Sequence, residues 1–164
     1  TRHVFMVDGQ AFTLSATIDR IDLLDDGTLA IIDFKTGQVP TPAKVKSGLN
    51  PQLALEVTLF QKGALGEIAE LSGRAVSQLG WVKLDGKEEI APWHSAISQT
   101  PDETPDHLGL LAEKQLLALI RQYRNPAQGY LSRPRPDFDF RYVGDYDHLA
   151  RVKEWQAAEM VDEE

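Results

Sequence analysis

The chain contains no cysteine among its 164 residues. Disulfide bridges, thiol catalysis, cysteine-bound zinc and a cysteine-ligated iron–sulfur cluster are therefore excluded. No apolar run approaches the roughly 20 residues that a membrane-spanning helix needs, so we expect no membrane association. A basic excess is missing too, because the net charge is −8. Stand-alone nucleic-acid-binding domains usually carry a basic surface, so the acidic excess argues against this class unless part of it marks a cation site.

The chain also lacks an initiator methionine and a secretory signal. Residues Thr1–Val7 show no basic region followed by an apolar block. We therefore expect a cytoplasmic protein of which this chain is one piece. A length of 164 residues is typical of one domain, and we expect a single domain over residues 1–164 that buries its own core.

The first clear pattern is a pair of strands joined by a tight turn. Residues Phe12–Leu23 alternate between apolar and polar side chains, which predicts one continuous strand. Asp25–Gly27 is a turn signal. Leu29–Thr36 follows as a second strand, and Ile31 and Ile32 make it apolar on both faces. This second strand is therefore expected in the centre of a sheet.

The rest of the chain alternates between helical and extended patterns. In chain order the sequence first predicts a loop over Gly37–Gly48 and then a helix that ends near Gly63, capped by Asn50 with Pro51 at its first position. A strand over Ser77–Leu84 and a loop over Pro92–Pro105 follow. The last predicted elements are a helix over Asp106–Arg124, with the apolar stripe Leu110, Leu111, Leu117 and Ile120, and a short helix over Tyr146–Ala158. The fold class expected from this order is α/β, with a central mixed sheet flanked by helices.

A group of charged side chains is expected on one face of the predicted hairpin. If Asp25–Gly27 is the turn, Asp19 on the first strand lies opposite Asp33 on the second. Directly opposed residues have Cβ atoms about 4.5–5.5 Å apart. Lys35 lies two residues beyond Asp33 and therefore points to the same face. Two carboxylates and an ammonium group are thus predicted to converge.

Two such carboxylates repel each other by roughly 4 kcal/mol at a separation of about 4 Å and an effective dielectric constant of 20. A divalent cation removes this conflict, and carboxylate oxygens suit magnesium. A bound ion could activate a water molecule and polarise a phosphoryl group, while Lys35 orients the water or neutralises developing charge. The alternative is a surface charge cluster without chemistry. The apolar context of Asp33 and Lys35 argues against it, because unpaired charge there is costly.

Three segments of the sequence resemble the nuclease domain of the AddB and RecB helicase–nucleases, which belongs to the PD-(D/E)XK class. They are Ala16–Asp22, Ile31–Gly37 and Pro51–Leu53. Two later segments, Tyr130–Pro136 and Tyr146–Arg151, resemble the end of bacterial AddB chains. The resemblance spans nearly the whole chain, and it implies a restriction-endonuclease-like core.

The same resemblance implies a role for each matching residue. Asp19 and Asp33 would bind the metal ion together with the backbone carbonyl of Phe34. Lys35 would be the catalytic lysine, and Gln52 an auxiliary catalytic residue carried by the following helix. The implied cofactor is Mg²⁺ or Mn²⁺ without an iron–sulfur cluster. The implied activity is hydrolysis of DNA phosphodiester bonds during double-strand break repair, with an AddA-type helicase–nuclease subunit as partner.

The sequence departs from the family pattern in three ways. Glu56 occupies a position where the family often has tyrosine, and the four cysteines of many relatives are absent. An acidic or histidine-bearing helix is expected before the first strand, and if the parent protein has one it would lie outside this chain. Two alternatives therefore stay open. One is a catalytically inactive nuclease fold that binds DNA ends or docks a subunit, which the charge of −8 and Glu56 favour. The other is a self-sufficient nuclease such as a junction resolvase or a phage-type exonuclease.

Overall fold

A computed structural model describes residues 1–66, 68, 70–71, 73–86, 91–98, 100 and 103–130. The chain divides into two compact units, Thr1–Arg121 and Gln122–Glu164. The second unit is described only as far as residue 130, and there the rings of Tyr123 and Tyr130 stack at 5.1 Å. The expected single domain over residues 1–164 stays a prediction. The expected helix Tyr146–Ala158 lies outside the described residues.

The first unit begins with a hairpin that forms a two-stranded sheet. Strand β1 (Arg2–Val7) pairs antiparallel with β2 (Gln10–Ser15). The sequence analysis did not single out β1, and its prediction of one strand over Phe12–Leu23 was wrong. The strand β2 ends at Ser15, with Ala16 still hydrogen-bonded to Thr1, and residues 16–19 carry the chain to a second sheet. Alternation of side chains continues through this crossing, so the pattern could not show the change of partner.

The second sheet is mixed and places the predicted hairpin at one side. Its four strands lie in the order β3 (Arg20–Leu23), β4 (Leu29–Lys35), β5 (Val76–Lys83) and β6 (Trp93–Ser95). Strand β4 is antiparallel to β3 and parallel to β5, and β5 is antiparallel to β6. The interior position of β4 is confirmed, and so is the predicted pairing of Ile21 with Ile31, but the paired ladder ends before it reaches Asp19 and Asp33. The loop predicted over Pro92–Pro105 contains β6, an edge strand too short to show a periodic pattern.

Three helices complete the described part of the chain: α1 (Pro42–Lys46), α2 (Gln52–Gln61) and α3 (Pro105–Arg124). Helix α1 lies in the segment predicted as a loop, where Thr41 caps it by accepting a hydrogen bond from the amide of Lys44. The predicted cap at Asn50 was wrong by one residue. Pro51 takes the cap position and its carbonyl accepts from the amide of Leu55 at 2.8 Å. None of the helices in the described ranges is both long and apolar enough to cross a membrane.

Helix α2 is the centre of the core. It packs against β4 and β5 and also against α3. The approach of α3 is close at Gly109, because a Cβ atom there would lie 2.8 Å from Val57 Cγ1. The hydroxyl of Thr58 donates to the carbonyl of Gly109 at 2.8 Å. Seven of the ten residues of α2 are buried, so this helix is enclosed rather than amphipathic.

The predicted apolar stripe of α3 was wrong in part. Leu110 is 60% exposed, whereas Leu108, Gly109 and Ala112 are buried. Helix α3 contacts α2 on the side that carries Gly109, because this residue has no side chain and lets the two backbones approach closely. Leucine content alone did not identify that side.

Candidate functional site

The carboxylate of Asp33 lies in the first unit near the carboxyl end of β4. Asp33 is only 4% exposed and lies beside the fully buried Trp81 of β5. Lys35 leaves β4 two residues later on the same face. Its Nζ lies 2.8 Å from Asp33 Oδ2. The predicted acid and base are therefore a direct ion pair in a largely buried setting.

Gln52 completes this arrangement from the first turn of α2. Its Oε1 accepts a hydrogen bond from Lys35 Nζ at 3.1 Å, and its Nε2 donates to Asp33 Oδ1 at 2.7 Å. Each of the three side chains therefore contacts the other two. We call this closed set Asp33–Lys35–Gln52 the polar triangle. The structure brings together three of the residues that the sequence singled out.

Asp19 lies next to the triangle without joining it. The paired ladder between β3 and β4 ends at Arg20 and Ile32, so Asp19 lies one residue beyond it and is not paired opposite Asp33. Asp19 Oδ2 instead accepts a hydrogen bond from the backbone amide of Phe34 at 3.1 Å. The side chain is exposed. Asp19 therefore contacts the backbone of the residue between Asp33 and Lys35.

Glu56 is a further member of the site that the sequence analysis treated only as a departure from the family pattern. It lies one helical turn after Gln52, and its Oε1 is 3.3 Å from Gln52 Nε2. Glu56 is 2% exposed, and its Oε2 has no hydrogen-bond partner among the residues that the structure describes. Side chains four residues apart on a helix are neighbours, so the spacing from Gln52 was the signal available in the sequence.

Burial dominates the electrostatics of Glu56. The pKa of this carboxyl group is raised from 4.5 to about 7, mainly by burial and to a smaller extent by the charges of Asp33 and Asp19. The hydrogen bond from Gln52 and the charge of Lys35 act in the opposite direction. The pKa of Glu56 therefore depends on both acidic members of the site, although its side-chain hydrogen bond within the described residues is to Gln52.

The oxygen atoms of the site are suited to a hard cation, but the carboxylates are spread out. Asp33 Oδ2 is buried and has the ammonium group of Lys35 as an ionic partner at 2.8 Å, without a hydrogen bond of good geometry. Glu56 Oε2 is buried and has no hydrogen-bond partner in the described part of the chain. No group of three His, Cys, Asp or Glu side chains in the described ranges is placed to hold a metal ion. A cation here would therefore take part of its coordination from backbone, water or substrate oxygens, as magnesium commonly does.

A cleft of about 540 Å³ opens beyond the carboxyl ends of β4 and β5. Lys83 of β5, which lines it, is the register partner of Lys35. Trp93 of β6 also lines the cleft and is 42% exposed. Ligands of α/β sheets commonly bind outside the carboxyl ends of parallel strands, but none of Asp19, Asp33, Lys35 and Gln52 lines this cleft.

Comparison with known proteins gives a family match and several partial relatives. A family model described as the PD-(D/E)XK nuclease superfamily matches residues 2–137. The chain is 32% identical over 84 residues to an uncharacterized protein of Rickettsia typhi, which is 51% of this chain and 10% of that protein. It is 31% identical over 64 residues to one of Rickettsia conorii and 36% identical over 50 residues to one of Rickettsia bellii, covering 39% and 30% of this chain and 8% and 6% of those proteins. The matched region thus spans a tenth or less of each relative. No solved structure matches the chain.

Proposed function

Since the chain belongs to the PD-(D/E)XK nuclease superfamily, we propose that it hydrolyses DNA phosphodiester bonds with the help of a divalent metal ion. Membership of the superfamily indicates nuclease activity and a DNA substrate, and such nucleases generally use divalent metals. The observation that carries the proposal for this chain is the polar triangle. A buried acid, a partly exposed base and an exposed amide meet near the end of β4.

The proposed metal ligands are Asp33, Asp19 and the backbone carbonyl of Phe34, with Mg²⁺ or Mn²⁺ as the ion. Magnesium typically uses one or two carboxylates and fills its remaining positions with water and substrate phosphate oxygens. Two observations support this assignment. Oδ2 of Asp33 is buried without a hydrogen bond, and Asp19 accepts a hydrogen bond from the Phe34 amide beside it. A bound ion supplies a water molecule of lowered pKa and neutralises charge on the phosphoryl group.

Lys35 and Gln52 have complementary roles in this proposal. The ammonium group of Lys35 can donate to an attacking water or to a phosphoryl oxygen, so it orients the nucleophile or stabilises negative charge as it develops. Gln52 accepts from the same ammonium group and thereby fixes its position. Gln52 is exposed, but it lies in the first turn of a helix whose following residues are buried, which anchors this acceptor. The Lys35 side chain is 27% exposed, so a substrate could reach its ammonium group.

For the whole protein we propose an AddAB-type helicase–nuclease that processes double-strand breaks in the bacterial cytoplasm, with an AddA-type subunit as partner. The support is the resemblance of Ala16–Asp22, Ile31–Gly37 and Pro51–Leu53 to AddB and RecB nuclease domains. An exonuclease acting on strands delivered by the helicase is the expected mode.

A second candidate is a catalytically inactive nuclease fold that binds DNA ends or docks a subunit. The specific observation in its favour is that Asp33 and Lys35 already neutralise each other within the closed triangle. The net charge of −8 is also unfavourable for a domain that binds DNA by itself. This candidate predicts neither metal affinity nor cleavage.

The deciding experiment is calorimetric titration of the chain with MgCl₂ and MnCl₂, together with cleavage of end-labelled single-stranded DNA. The variant is Asp33→Asn, and the matched control is Asp25→Asn in the exposed hairpin turn. The proposal expects binding and cleavage by the wild type and Asp25→Asn, and loss of both in Asp33→Asn. If the wild type binds no metal at millimolar concentration and cleaves nothing, the inactive module is the better description.

A further inference from the structure

The carboxyl group of Glu56 has no evident structural purpose inside the core. It is 2% exposed on a helix whose neighbouring residues Leu53, Val57 and Leu59 are fully buried. One of its oxygens makes no hydrogen bond within the described residues. Burying a polar group without full hydrogen bonding is unfavourable, and an apolar side chain of similar volume usually packs better. Stability alone therefore does not account for a glutamate here.

The position of Glu56 is explained by the amide that it contacts. Gln52 Nε2 has two acceptors, Asp33 Oδ1 at 2.7 Å and Glu56 Oε1 at 3.3 Å. The opposite end of the same amide, Oε1, accepts from Lys35 Nζ. If the amide were rotated by half a turn, its NH₂ group would face the ammonium group and its oxygen would face two carboxyl groups. Glu56 thus favours one of the two amide orientations.

Glu56 also supplies an acceptor that does not depend on Asp33. Both oxygens of Asp33 are engaged within the triangle, Oδ1 by Gln52 and Oδ2 by Lys35. Any group that competes for Asp33 therefore removes a partner from Gln52. With Glu56 one helical turn below, the amide keeps an acceptor on its own helix and its oxygen stays directed at Lys35.

We propose that Glu56 is a positioning residue of this site, which holds the Gln52 amide with its oxygen toward Lys35 and its nitrogen toward Asp33. Its consequence for catalysis rests on the proposed nuclease function, but the orientation of the amide does not. Glu56 itself touches neither substrate nor reacting atoms in this assignment. It acts through Gln52.

The orientation is tested directly by NMR on the metal-free protein. The side-chain NH₂ signals of Gln52 are assigned by their loss in Gln52→Ala, and their exchange with solvent is measured in Glu56→Met, Glu56→Ala and Glu56→Gln. We expect faster exchange and shifted signals in Glu56→Met and Glu56→Ala, since both lack an acceptor. Glu56→Gln keeps an acceptor oxygen and should stay close to wild type. The matched control is Glu103→Gln, another buried glutamate outside the triangle.

Kinetics provide the second readout. A supporting group of this kind changes activity by about 10- to 100-fold when removed. We expect kcat on single-stranded DNA to fall by that factor in Glu56→Met with KM unchanged, and to recover in Glu56→Gln. Two acceptor-removing variants are included so that one folding failure does not block the test. Unchanged Gln52 signals in either folded variant would overturn the proposal. A wild type that cleaves nothing would instead refute the nuclease function, while the NMR result still decides the role of Glu56.

Discussion

The Nζ atom of Lys35 lies 2.8 Å from the buried Oδ2 atom of Asp33. The two residues leave β4 on the same face, two positions apart, so their contact needs no rearrangement of the backbone. The lysine side chain is 27% exposed and the aspartate side chain 6%. A cation that binds Asp33 Oδ2 would therefore compete with Lys35 for this oxygen, so cation affinity should depend on the ammonium group.

Replacing Lys35 by methionine should separate metal binding from catalysis. Without the ammonium group Asp33 Oδ2 is available, so Mn²⁺ affinity should rise by up to about tenfold, or 1.4 kcal/mol. Cleavage should fall by about 10²- to 10³-fold, because a charge-stabilising donor is lost. The control is Lys83→Met, the register partner of Lys35, which has its own ion pair with Asp85. A variant that loses metal affinity together with activity would contradict this competition.

The substitution Asp19→Asn should show whether Asp19 binds the cation through its charge or only holds the backbone amide of Phe34. Asparagine keeps a side-chain oxygen that can accept from the Phe34 amide, so urea denaturation should show a change within about 0.5 kcal/mol. It removes the negative charge, so cation affinity should fall by at least about tenfold in calorimetry. Asp22→Asn is a suitable control, because Asp22 pairs with Arg20 instead of contacting β4 at Phe34. Equal affinity in Asp19→Asn and wild type would exclude Asp19 as a charged ligand.

Glu56 should make folding stability depend on pH. Burial raises its pKa to about 7 from 4.5, so the folded state keeps a proton that the unfolded chain releases. Its contribution to stability is therefore complete below about pH 4.5 and is lost as the pH rises through 7. Glu56→Gln removes this loss and should be more stable than wild type at pH 8 by roughly 1–3 kcal/mol, with little difference at pH 4.5, in urea denaturation.

The same substitution at Glu103 should have the opposite sign. Burial raises the pKa of Glu103, but hydrogen bonds and charge from Ser98 and Lys46 outweigh it, and the net shift is downward. Stability from this group is present above its ordinary pKa and is lost as the pH falls. Glu103→Gln should therefore destabilise the protein at pH 8. Two buried glutamates that respond alike would show that their surroundings do not control these effects.

Gly109→Ala sets helix propensity against packing. In an exposed helix this change adds about 1 kcal/mol of stability. Here the new Cβ would lie 2.8 Å from Val57 Cγ1 and 2.9 Å from Gln61 Oε1. Overpacking typically costs about 1–3 kcal/mol, so we expect net destabilisation in thermal or urea unfolding. Gly37→Ala, where nothing lies within 4 Å, is the matched control.

The sequence was most informative where burial and local geometry act together. Ile31 and Ile32 identified β4 as an interior strand, and the position of the turn established that Ile21 faces Ile31. The spacing within β4 was enough to place Asp33 beside Lys35. These features depend on neighbours in the chain or on one tight turn, and such contacts follow directly from strand periodicity.

Features that depend on contacts between residues far apart in the sequence could not be predicted in this way. Residues 16–19 continue an alternating pattern while the chain passes between sheets, so Asp19 was placed on a strand that had already ended. Helix α3 contacts α2 at Gly109, and this position depends on how the surfaces of both helices fit together. The role of Glu56 needed its contact with Gln52 and its burial, and comparison with a family pattern only marked it as unusual.

The enclosure of α2 has a consequence for how activity losses should be interpreted. Gln52 and Glu56 are carried by a helix that is buried among β4, β5 and α3. Such a helix cannot open locally without breaking the core, so its backbone amides should exchange with solvent only through global unfolding. The geometry of the polar triangle and the fold are therefore expected to form one cooperative unit. A substitution that weakens the core at any distance will reduce the population of assembled sites, even when it touches no residue of the triangle.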